Sequence, residues 1–312
     1  MSKPITIQFD EENNISSKDR IFGKYHSLKN KISWFLTYRK TFKNYLLVTS
    51  NVLKGKFPVD SILKDGSHIV LKNIDEVALF GLLYADKKIE YDPIEDVATF
   101  STITVQNDHK LQLCGISRGV DAFLTFRNNG TYDPLPIKDK VVLDVGANIG
   151  DTPIYFAVNG SKKVIGVEPF PQNYEMAKKN TEINGLSDKI TILLAGCSSK
   201  RGHLTIDPTY KSDIRSNLKE FEKGIQVPLL TLQDLVEEYS LSNAILKMDC
   251  EGCEYESILS SERDILRKFS HIQIEYHNGY RNLKEKLEKS GFQVNSRLID
   301  TQYRGHISAV RI

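Results

Sequence analysis

A chain of 312 residues can hold one large domain or two ordinary ones, and its 40% hydrophobic and 26% charged residues are typical of a globular protein with a sizeable core. The formal net charge of +2 gives no overall argument for nucleic acid as a partner. No apolar run reaches the roughly 18 residues of a membrane span, and the N-terminus lacks the apolar core of a signal peptide. The sequence therefore predicts a cytoplasmic protein.

The first 115 residues predict a small α+β extension. Residues 18–43 carry eight basic side chains against one acid, and apolar residues recur every three or four positions, which predicts an amphipathic helix. Further on, the pattern favours a hairpin over 61–71, a helix over 74–84, and a second hairpin over 100–114 that turns at 107–108.

The basic segment 18–43 admits two interpretations. As an amphipathic helix it is expected to pack on the rest of the protein or on a second subunit, which would give a homo-oligomer. Alternatively, its basic and apolar residues suit peripheral contact with an anionic membrane surface or a polyanion.

From residue 116 onward, strands and helices alternate. This pattern predicts a doubly wound α/β sheet, with ligands bound at the carboxyl ends of its strands. Strands are expected at 141–143, 163–167, 190–195, 244–248, 271–276, 292–298 and 306–312, and helices at 152–159, 171–184, 231–239, 255–268 and 282–290.

The sequence VVLDVGANIG, residues 141–150, is the first candidate site. A buried strand ending at Asp144 and followed by a glycine-rich turn into a helix is how α/β proteins hold nucleotide-like ligands. Glu168 ends the next strand, at about the 20-residue separation at which an acid meets a ribose hydroxyl. An acid at the strand end also suits a cationic, amine-bearing ligand better than a pyrophosphate. S-adenosylmethionine fits this description.

Three alternatives stay open at this point. The glycines could form a plain strand-to-helix turn. A dinucleotide-dependent oxidoreductase would need G-x-G-x-x-G, and Ala147 and Asn148 leave that fingerprint incomplete. A non-catalytic protein could keep the fold and use residues 18–43 on a membrane or partner.

Acids and a histidine follow two later strands. Asp249, Glu251 and Glu254 lie so close in sequence that they repel one another unless a cation or a hydroxyl-rich ligand compensates, although a helix N-terminus also favours acids. Glu275 and His277 occupy alternate positions at the next strand end and so share a face. His277 is the first candidate for the general base that removes a hydroxyl proton, with Glu251 and Asp249 behind it, and a structural histidine is the alternative.

Metal chemistry is the less favoured interpretation of these residues. Mg²⁺ at the acidic cluster would be an alternative way to lower a hydroxyl pKa, but no metal site is predicted. Cys250 and Cys253 form a C-x-x-C pair without a second pair to complete four zinc ligands. They are therefore expected to be small core thiols.

Four stretches resemble the FkbM family of S-adenosylmethionine-dependent methyltransferases: VVLDVGANIGDT, VIGVEPFPQNYEMAKKNTEING, ILKMDCEGCEYESIL and IQIEYH. The resemblance covers roughly residues 115–312. It implies a class I methyltransferase domain at 116–312, with a Rossmann-like, doubly wound seven-stranded sheet, behind the N-terminal extension 1–115. It also implies O-methyl transfer to a hydroxyl of a sugar, glycan or related small molecule, with no nucleic acid as partner.

The resemblance also implies roles for single residues. Asp144, Gly146 and Asn148 would line the methionine end of the cofactor, and Glu168 would bind the ribose. Ala195 and Gly196 would border the adenine, and Asp249 would close the site near the sulfonium. The cofactor-binding set is thus Asp144, Gly146, Asn148, Gly150, Glu168, Ala195, Gly196 and Asp249, and the catalytic set is His277, Asp249 and Glu251.

Overall fold

The described residues of the N-terminal extension form three helices and five short strands. It comprises α1 (Ser17–Thr41), α2 (Tyr45–Leu53), β1 (Val59–Ile62), β2 (His68–Leu71), α3 (Ile74–Ala85), β3 (Ile89–Asp92), β4 (Val97–Phe100) and β5 (Leu111–Cys114). The structure is a computed structural model that describes residues 17–85, 89–92, 95–100, 110–116, 125–126, 132, 134–209, 221–299 and 304–312. The hairpin β1–β2 and the helix α3 confirm their predictions. Strands β4 and β5 pair antiparallel, as the second predicted hairpin requires, and its predicted turn at 107–108 lies outside the described residues.

The rest of the chain alternates strands with helices. Its elements are β6 (Val141–Val145), α4 (Asp151–Val158), β7 (Lys163–Glu168), α5 (Pro171–Ile183), β8 (Ile190–Leu194), β9 (Gly196–Cys197), β10 (Gly202–Ile206), β11 (Ile225–Leu230), α6 (Leu232–Glu238), β12 (Ala244–Met248), α7 (Cys253–Ser260), α8 (Arg263–Leu266), β13 (Phe269–Tyr276), α9 (Arg281–Lys289), β14 (Phe292–Leu298) and β15 (Gly305–Arg311).

Seven of these strands form one sheet, in the order β14-β15-β13-β12-β6-β7-β8. The five strands from β13 to β8 are parallel, whereas β15 runs antiparallel to both of its neighbours. The chain order reverses at β6, which has β7 on one side and β12 on the other. Such a reversal opens a crevice outside the carboxyl ends of the strands, where α/β proteins bind their ligands. The predicted doubly wound, seven-stranded sheet is confirmed.

The sheet is buried on both faces because its central strands β6 and β12 are apolar apart from Asp144 and Lys247. Successive side chains of a strand point to opposite faces, and Leu143 packs in one core with helices α6 to α9 while Val142 packs in another. The second core includes residues of the extension: Leu79, Phe100, Leu111 and Leu113 pack with it. The extension and the sheet therefore share a core.

Asn180 on α5 and Asn184, which directly follows α5, join the extension to the sheet. Asn180 accepts a hydrogen bond from the Cys114 N–H (2.7 Å) and donates to the Cys114 carbonyl (3.1 Å). Asn184 makes the same pair of bonds with the N–H (2.9 Å) and carbonyl (2.6 Å) of Gln112. Residues four apart on a helix share a face, as do residues two apart on a strand, so the two amides replace a strand partner for β5. Asn180 also donates to the Ile149 carbonyl (2.8 Å), inside the glycine turn.

One predicted helix is wrong in its extent. The pattern over 255–268 predicts a single helix, but α7 ends at Ser260 and a separate turn, α8, begins at Arg263. Ser260 and Ser261 donate their hydroxyls to the carbonyls of Glu256 and Ser257, each four residues back. These bonds satisfy carbonyls that a continuing helix would have paired, which is why serine favours helix ends.

Replacing Asn180 with leucine tests the clamp between extension and sheet. Leucine keeps the volume but leaves the Cys114 N–H, the Cys114 carbonyl and the Ile149 carbonyl without their partner. Each buried polar group left unpaired costs about 1–3 kcal/mol, so the free energy of unfolding in urea should fall by about 3 kcal/mol or more. Asn159→Leu, which removes one local helix-end bond, is the control and should cost about 1 kcal/mol at most. Equal effects of the two changes would contradict the clamp.

Candidate active site

The glycine turn after β6 lies against the end of β12. Gly146 has a φ of 85°, and a Cβ at this position would come within 1.8 Å of the Asp249 carbonyl oxygen. Only glycine allows this approach. Asn148 also has a positive φ, 46°, which asparagine tolerates better than most residues. The glycine turn at 141–150 and the acidic motif that begins at Asp249 therefore lie next to each other.

A buried ion pair lies beneath this turn. The Lys247 Nζ is 2.9 Å from the Asp144 Oδ1 and donates to the Gly146 carbonyl at 2.8 Å. The Thr152 hydroxyl donates to the other oxygen of Asp144 at 2.5 Å. Burial raises the pKa of Asp144 against the opposing effect of Lys247, while the pKa of Lys247 rises because Asp144 outweighs its burial.

Asp144 therefore holds the turn from inside the protein. Its side chain is fully buried and its charge is met by Lys247. Direct contact between Asp144 and the cofactor stays a prediction.

Glu168, at the end of β7, supports the other side of the turn. Its carboxylate accepts the N–H of Asn148 at 2.9 Å and that of Phe170 at 3.0 Å, one on each oxygen. Burial raises the pKa of Glu168 to about 8, although both N–H groups favour the charged form. Asn173 donates to the Asn148 side chain (3.0 Å) and so fixes the turn further.

The predicted adenine-side residues lie at the same edge of the sheet. Ala195 follows β8 and donates its N–H to the Glu168 carbonyl at 3.3 Å. Gly196 begins β9, and both residues are buried. Their contact with adenine stays a prediction.

His277 lies just beyond β13 and is surrounded by carboxylates. Its Nδ1 is 2.9 Å from the Glu254 Oε1, and its Nε2 is 3.4 Å from the Glu251 Oε2 and 3.8 Å from the Asp249 Oδ1. Glu254 is fully buried and also accepts the Gly252 N–H at 2.9 Å. The three residues predicted as catalytic therefore converge on one point.

Tyr255 fixes the backbone beyond His277. The buried hydroxyl of Tyr255 donates to the Gly279 carbonyl and accepts the Asn278 N–H, both at 2.7 Å. Helix α7, which follows Asp249 and Glu251, is thereby tied to the segment that carries His277.

Burial and charge separate the proton affinities of these groups. Burial alone would lower the pKa of His277, but its hydrogen bonds with Glu251 and Glu254 outweigh burial and raise the pKa to about 11. The pKa of Asp249 rises to about 8, mainly through burial and the nearby Glu275, although Lys247 and His277 oppose the rise. Burial pushes the pKa of Glu275 upward, but the hydrogen bond with His306 (3.2 Å) outweighs it and lowers the pKa.

The same three residues have the composition of a divalent-cation site. One donor atom each from Asp249, Glu251 and His277 lie within 4.8 Å of one another. Carboxylate and imidazole donors suit Mg²⁺ or a transition metal. The Mg²⁺ alternative left open by the sequence therefore has a geometry that can be tested.

The structure also brings in residues that the motifs did not identify. Lys247 received no role, although a lysine inside the apolar strand AILKM signals a buried partner. Thr152 and Asn173 carry no sequence signal of their own. Tyr132 lies close enough for the charges of Asp249 and Glu275 to raise its pKa, in addition to the effect of burial.

The expectation of two free thiols in the acidic motif is wrong. Cys250 and Cys253 form a disulfide that closes the turn between Asp249 and α7. Glu251 and Gly252, between the two cysteines, both have positive φ, 54° and 122°. This tight turn brings the two sulfurs together, which the spacing alone did not reveal. Cys114 and Cys197 are buried free thiols.

The strand order and this site together define a class of protein. In class I methyltransferases the antiparallel last strand lies between its two predecessors, and the glycine turn follows the first strand of the sheet; here these are β15 and β6. Each oxygen of Glu168 accepts one backbone N–H and keeps a second lone pair. Two such acceptors suit the hydroxyls of a ribose, which S-adenosylmethionine carries. The fold is that of a class I methyltransferase.

Comparison with a family model identifies the domain. Residues 144–294 match the methyltransferase FkbM domain, so the chain carries an FkbM methyltransferase domain over those residues, as the resemblance implied. S-adenosylmethionine is the cofactor of this domain.

Other matches are partial. Protein arginine N-methyltransferase 1 of Saccharomyces cerevisiae is 46% identical over 70 residues, which are 22% of this chain and 20% of that protein. Ribosomal protein L11 methyltransferase of Glaesserella parasuis is 36% identical over 93 residues, 30% of this chain and 31% of that protein. The chain thus spans less than a third of either relative. The crystal structure of methyltransferase FkbM from Methylobacillus flagellatus aligns with a TM-score of 0.42 and 16% identity, covering 60% of this chain and 47% of that one.

Replacing Lys247 with methionine tests the buried pair. Removing one partner of a buried ion pair leaves an uncompensated charge and costs about 3–5 kcal/mol, so the free energy of unfolding should fall by that amount in urea. The double variant Lys247→Met/Asp144→Asn carries no buried charge and should recover part of the loss. If the double variant were less stable than Lys247→Met, Asp144 and Lys247 would not be coupled.

The raised pKa of Glu168 predicts proton release when the cofactor product binds. With its pKa raised to about 8, Glu168 is expected to carry a proton in the free protein at neutral pH, and the ionised carboxylate accepts hydrogen bonds from ribose hydroxyls more strongly than the neutral acid does. Binding of S-adenosylhomocysteine at about pH 7 should therefore release close to one proton, seen by calorimetry in two buffers of different ionisation enthalpy. The release should vanish above about pH 9.5 and in Glu168→Gln. Release that persists in Glu168→Gln would assign the proton to another group.

Proposed function

We propose that this protein transfers the methyl group of S-adenosylmethionine to a hydroxyl oxygen of a sugar, glycan or related small molecule. The observation that carries the proposal is the convergence of Asp249, Glu251 and His277 beside the glycine turn. A hydroxyl group that receives the methyl group needs a base beside it to take its proton, because an un-ionised hydroxyl is a poor nucleophile. When bound, the cofactor supplies a methyl group on a positive sulfur, and the acceptor oxygen displaces that sulfur.

The protein's part in this reaction is positioning and proton transfer. Holding the acceptor oxygen about 3 Å from the methyl carbon and in line with it accounts for much of the expected acceleration. Gly146 lets the cofactor turn approach Asp249, so the cofactor and the acceptor groups meet at one place. Glu168 would hold the ribose, Ala195 and Gly196 would border the adenine, and Asn148 and Gly150 would complete the cofactor turn.

The hydroxyl proton requires a base that is free to take it. His277 was the first candidate from sequence, but with a pKa of about 11 it carries a proton on both ring nitrogens near neutral pH. A protonated imidazole donates and cannot accept. We therefore assign the role of proton acceptor to Asp249, whose pKa of about 8 lies near neutrality. His277 and Glu251 then position Asp249 and tune its charge.

The acceptor itself is inferred from chemistry. Several acidic side chains with oxygen acceptors suit a ligand rich in hydroxyl donors. The names of the two curated relatives specify protein substrates, so a protein nitrogen is the competing acceptor. Assays with glycans and with peptides rich in arginine separate the two, using transfer of a radiolabelled methyl group as the readout. Labelling of peptide alone would exclude the hydroxyl proposal.

The pH dependence of methyl transfer tests the assigned base. The pKa of Asp249 is raised, so its carboxylate is present above about pH 8 and lost below it; kcat/KM should rise through about pH 8. Asp249→Asn should remove this limb and lower the rate by about 100-fold or more. His277→Gln removes a positive neighbour that favours the carboxylate, and it should move the limb to higher pH.

The methyl-transfer assay also tests whether a divalent cation, rather than Asp249 as a base, activates the acceptor hydroxyl. Dialysis against EDTA should leave the rate unchanged if Asp249 is the base. A rate that falls on chelation and returns with Mg²⁺ would instead support a divalent cation at these residues. An unchanged limb near pH 8 in Asp249→Asn would also reject the assignment.

A further inference from the structure

Helix α1 exposes a continuous apolar stripe. Ile21, Tyr25, Leu28, Ile32 and Leu36 are exposed by 72%, 62%, 59%, 53% and 47%. They follow one another at intervals of three or four residues and so lie on one face of the helix. We name these five residues the α1 stripe. In the described part of the chain, no helix combines the length and apolarity needed to cross a membrane.

The C-terminal end of α1 attaches the helix to the protein. Tyr38, on α1, and Phe42, which directly follows α1, are buried in a core that also contains Val48 of α2 and Val77 of α3. The α1 stripe is therefore an outward face of a helix whose end is already anchored.

Helix α2 also exposes apolar side chains. Leu46, Leu47 and Leu53 are exposed by 64%, 51% and 76%. The rings of Phe35 on α1 and Tyr45 on α2 lie 5.8 Å apart, so the two helices are in contact near the start of α2. Large contiguous apolar surfaces of this kind mark interaction sites on soluble domains.

Lysines border the α1 stripe on both sides. At 100° per residue, Lys18 and Lys29 fall along one edge of the stripe and Lys24 and Lys31 along the other, and all four are exposed. Asp19 is the only acid in the sequence from Lys18 to Lys43. An apolar stripe between two rows of lysine is the pattern of helices that lie in a membrane interface, where lysine stems cover the apolar edge and the ammonium groups reach the phosphates.

A second copy of this chain fits the α1 stripe less well. Two such helices paired along the stripe would bring rows of lysine against each other, and like charges beside a helix seam oppose pairing. An anionic lipid surface complements the same charges. We propose that the α1 stripe and its four lysines bind an anionic membrane surface, with α1 lying in the plane of the headgroups.

Vesicle sedimentation of the full chain tests this proposal. The protein should pellet with vesicles that contain about 30% phosphatidylglycerol in phosphatidylcholine, and not with phosphatidylcholine alone. Added salt should weaken the binding because it screens exposed charges. Each lysine near an anionic surface changes the partition coefficient roughly fivefold, so Lys24→Glu/Lys29→Glu/Lys31→Glu should lower it by about 100-fold or more. Leu28→Ser/Ile32→Ser should also abolish binding.

The matched control makes three lysine-to-glutamate changes outside α1. Lys179, Lys189 and Lys200 are exposed and lie far from α1 in sequence; their replacement by glutamate should leave binding within about threefold of the unchanged chain. Equal binding to neutral and anionic vesicles, or a lysine variant of α1 that binds like the control, would overturn the proposal. So would light scattering that shows a dimer which Leu28→Ser/Ile32→Ser converts to a monomer, with no vesicle binding by the unchanged chain.

Discussion

The contact between Lys247 and Asp144 joins the two strands on which the site depends. Asp144 lies on β6 and Lys247 on β12, opposite each other in the sheet. The ammonium group also reaches the Gly146 carbonyl, so one side chain fixes the pairing of the strands and the path of the turn. Because both groups are buried, neither has water as an alternative partner, and the geometry is held without flexibility. The close approach of Gly146 to Asp249 follows from this arrangement.

Electrostatics divides the site into two parts with different tasks. Around β6 and β7 the charges are matched or held by backbone N–H groups, as at Asp144 and Glu168. Beyond β12 and β13, several acids share one imidazole, so some carboxylates there remain poorly compensated. One side of the crevice thus has compensated charges and the other side has carboxylates that are only partly compensated. This division suits a reaction in which one ligand is held in place and another exchanges a proton. The buried Glu254 contributes by holding the far side of the His277 ring.

The sequence predicted the fold well where a single local rule governs. Apolar patterns identified every strand of the large sheet, and the glycine turn with Glu168 indicated a nucleotide-like site, because period and turn chemistry are local properties. The break at Ser261, the Cys250–Cys253 disulfide and the Lys247–Asp144 pair depend on contacts or turn geometry that motifs do not encode. The protonation of His277 belongs to the same group: its position at a strand end was predictable, but the two carboxylates that hold its protons became visible only in three dimensions.

The contacts of Asn180 bear on which part of this chain forms one structural unit. Its side chain is hydrogen-bonded both to the extension, at Cys114, and to the glycine turn, at Ile149. The positions of the extension and of the turn are therefore coupled. The family match begins at Asp144, in the middle of β6, and leaves Val142 and the extension side of the second core outside it. The family match therefore covers a smaller part of the chain than the part that packs together in the second core.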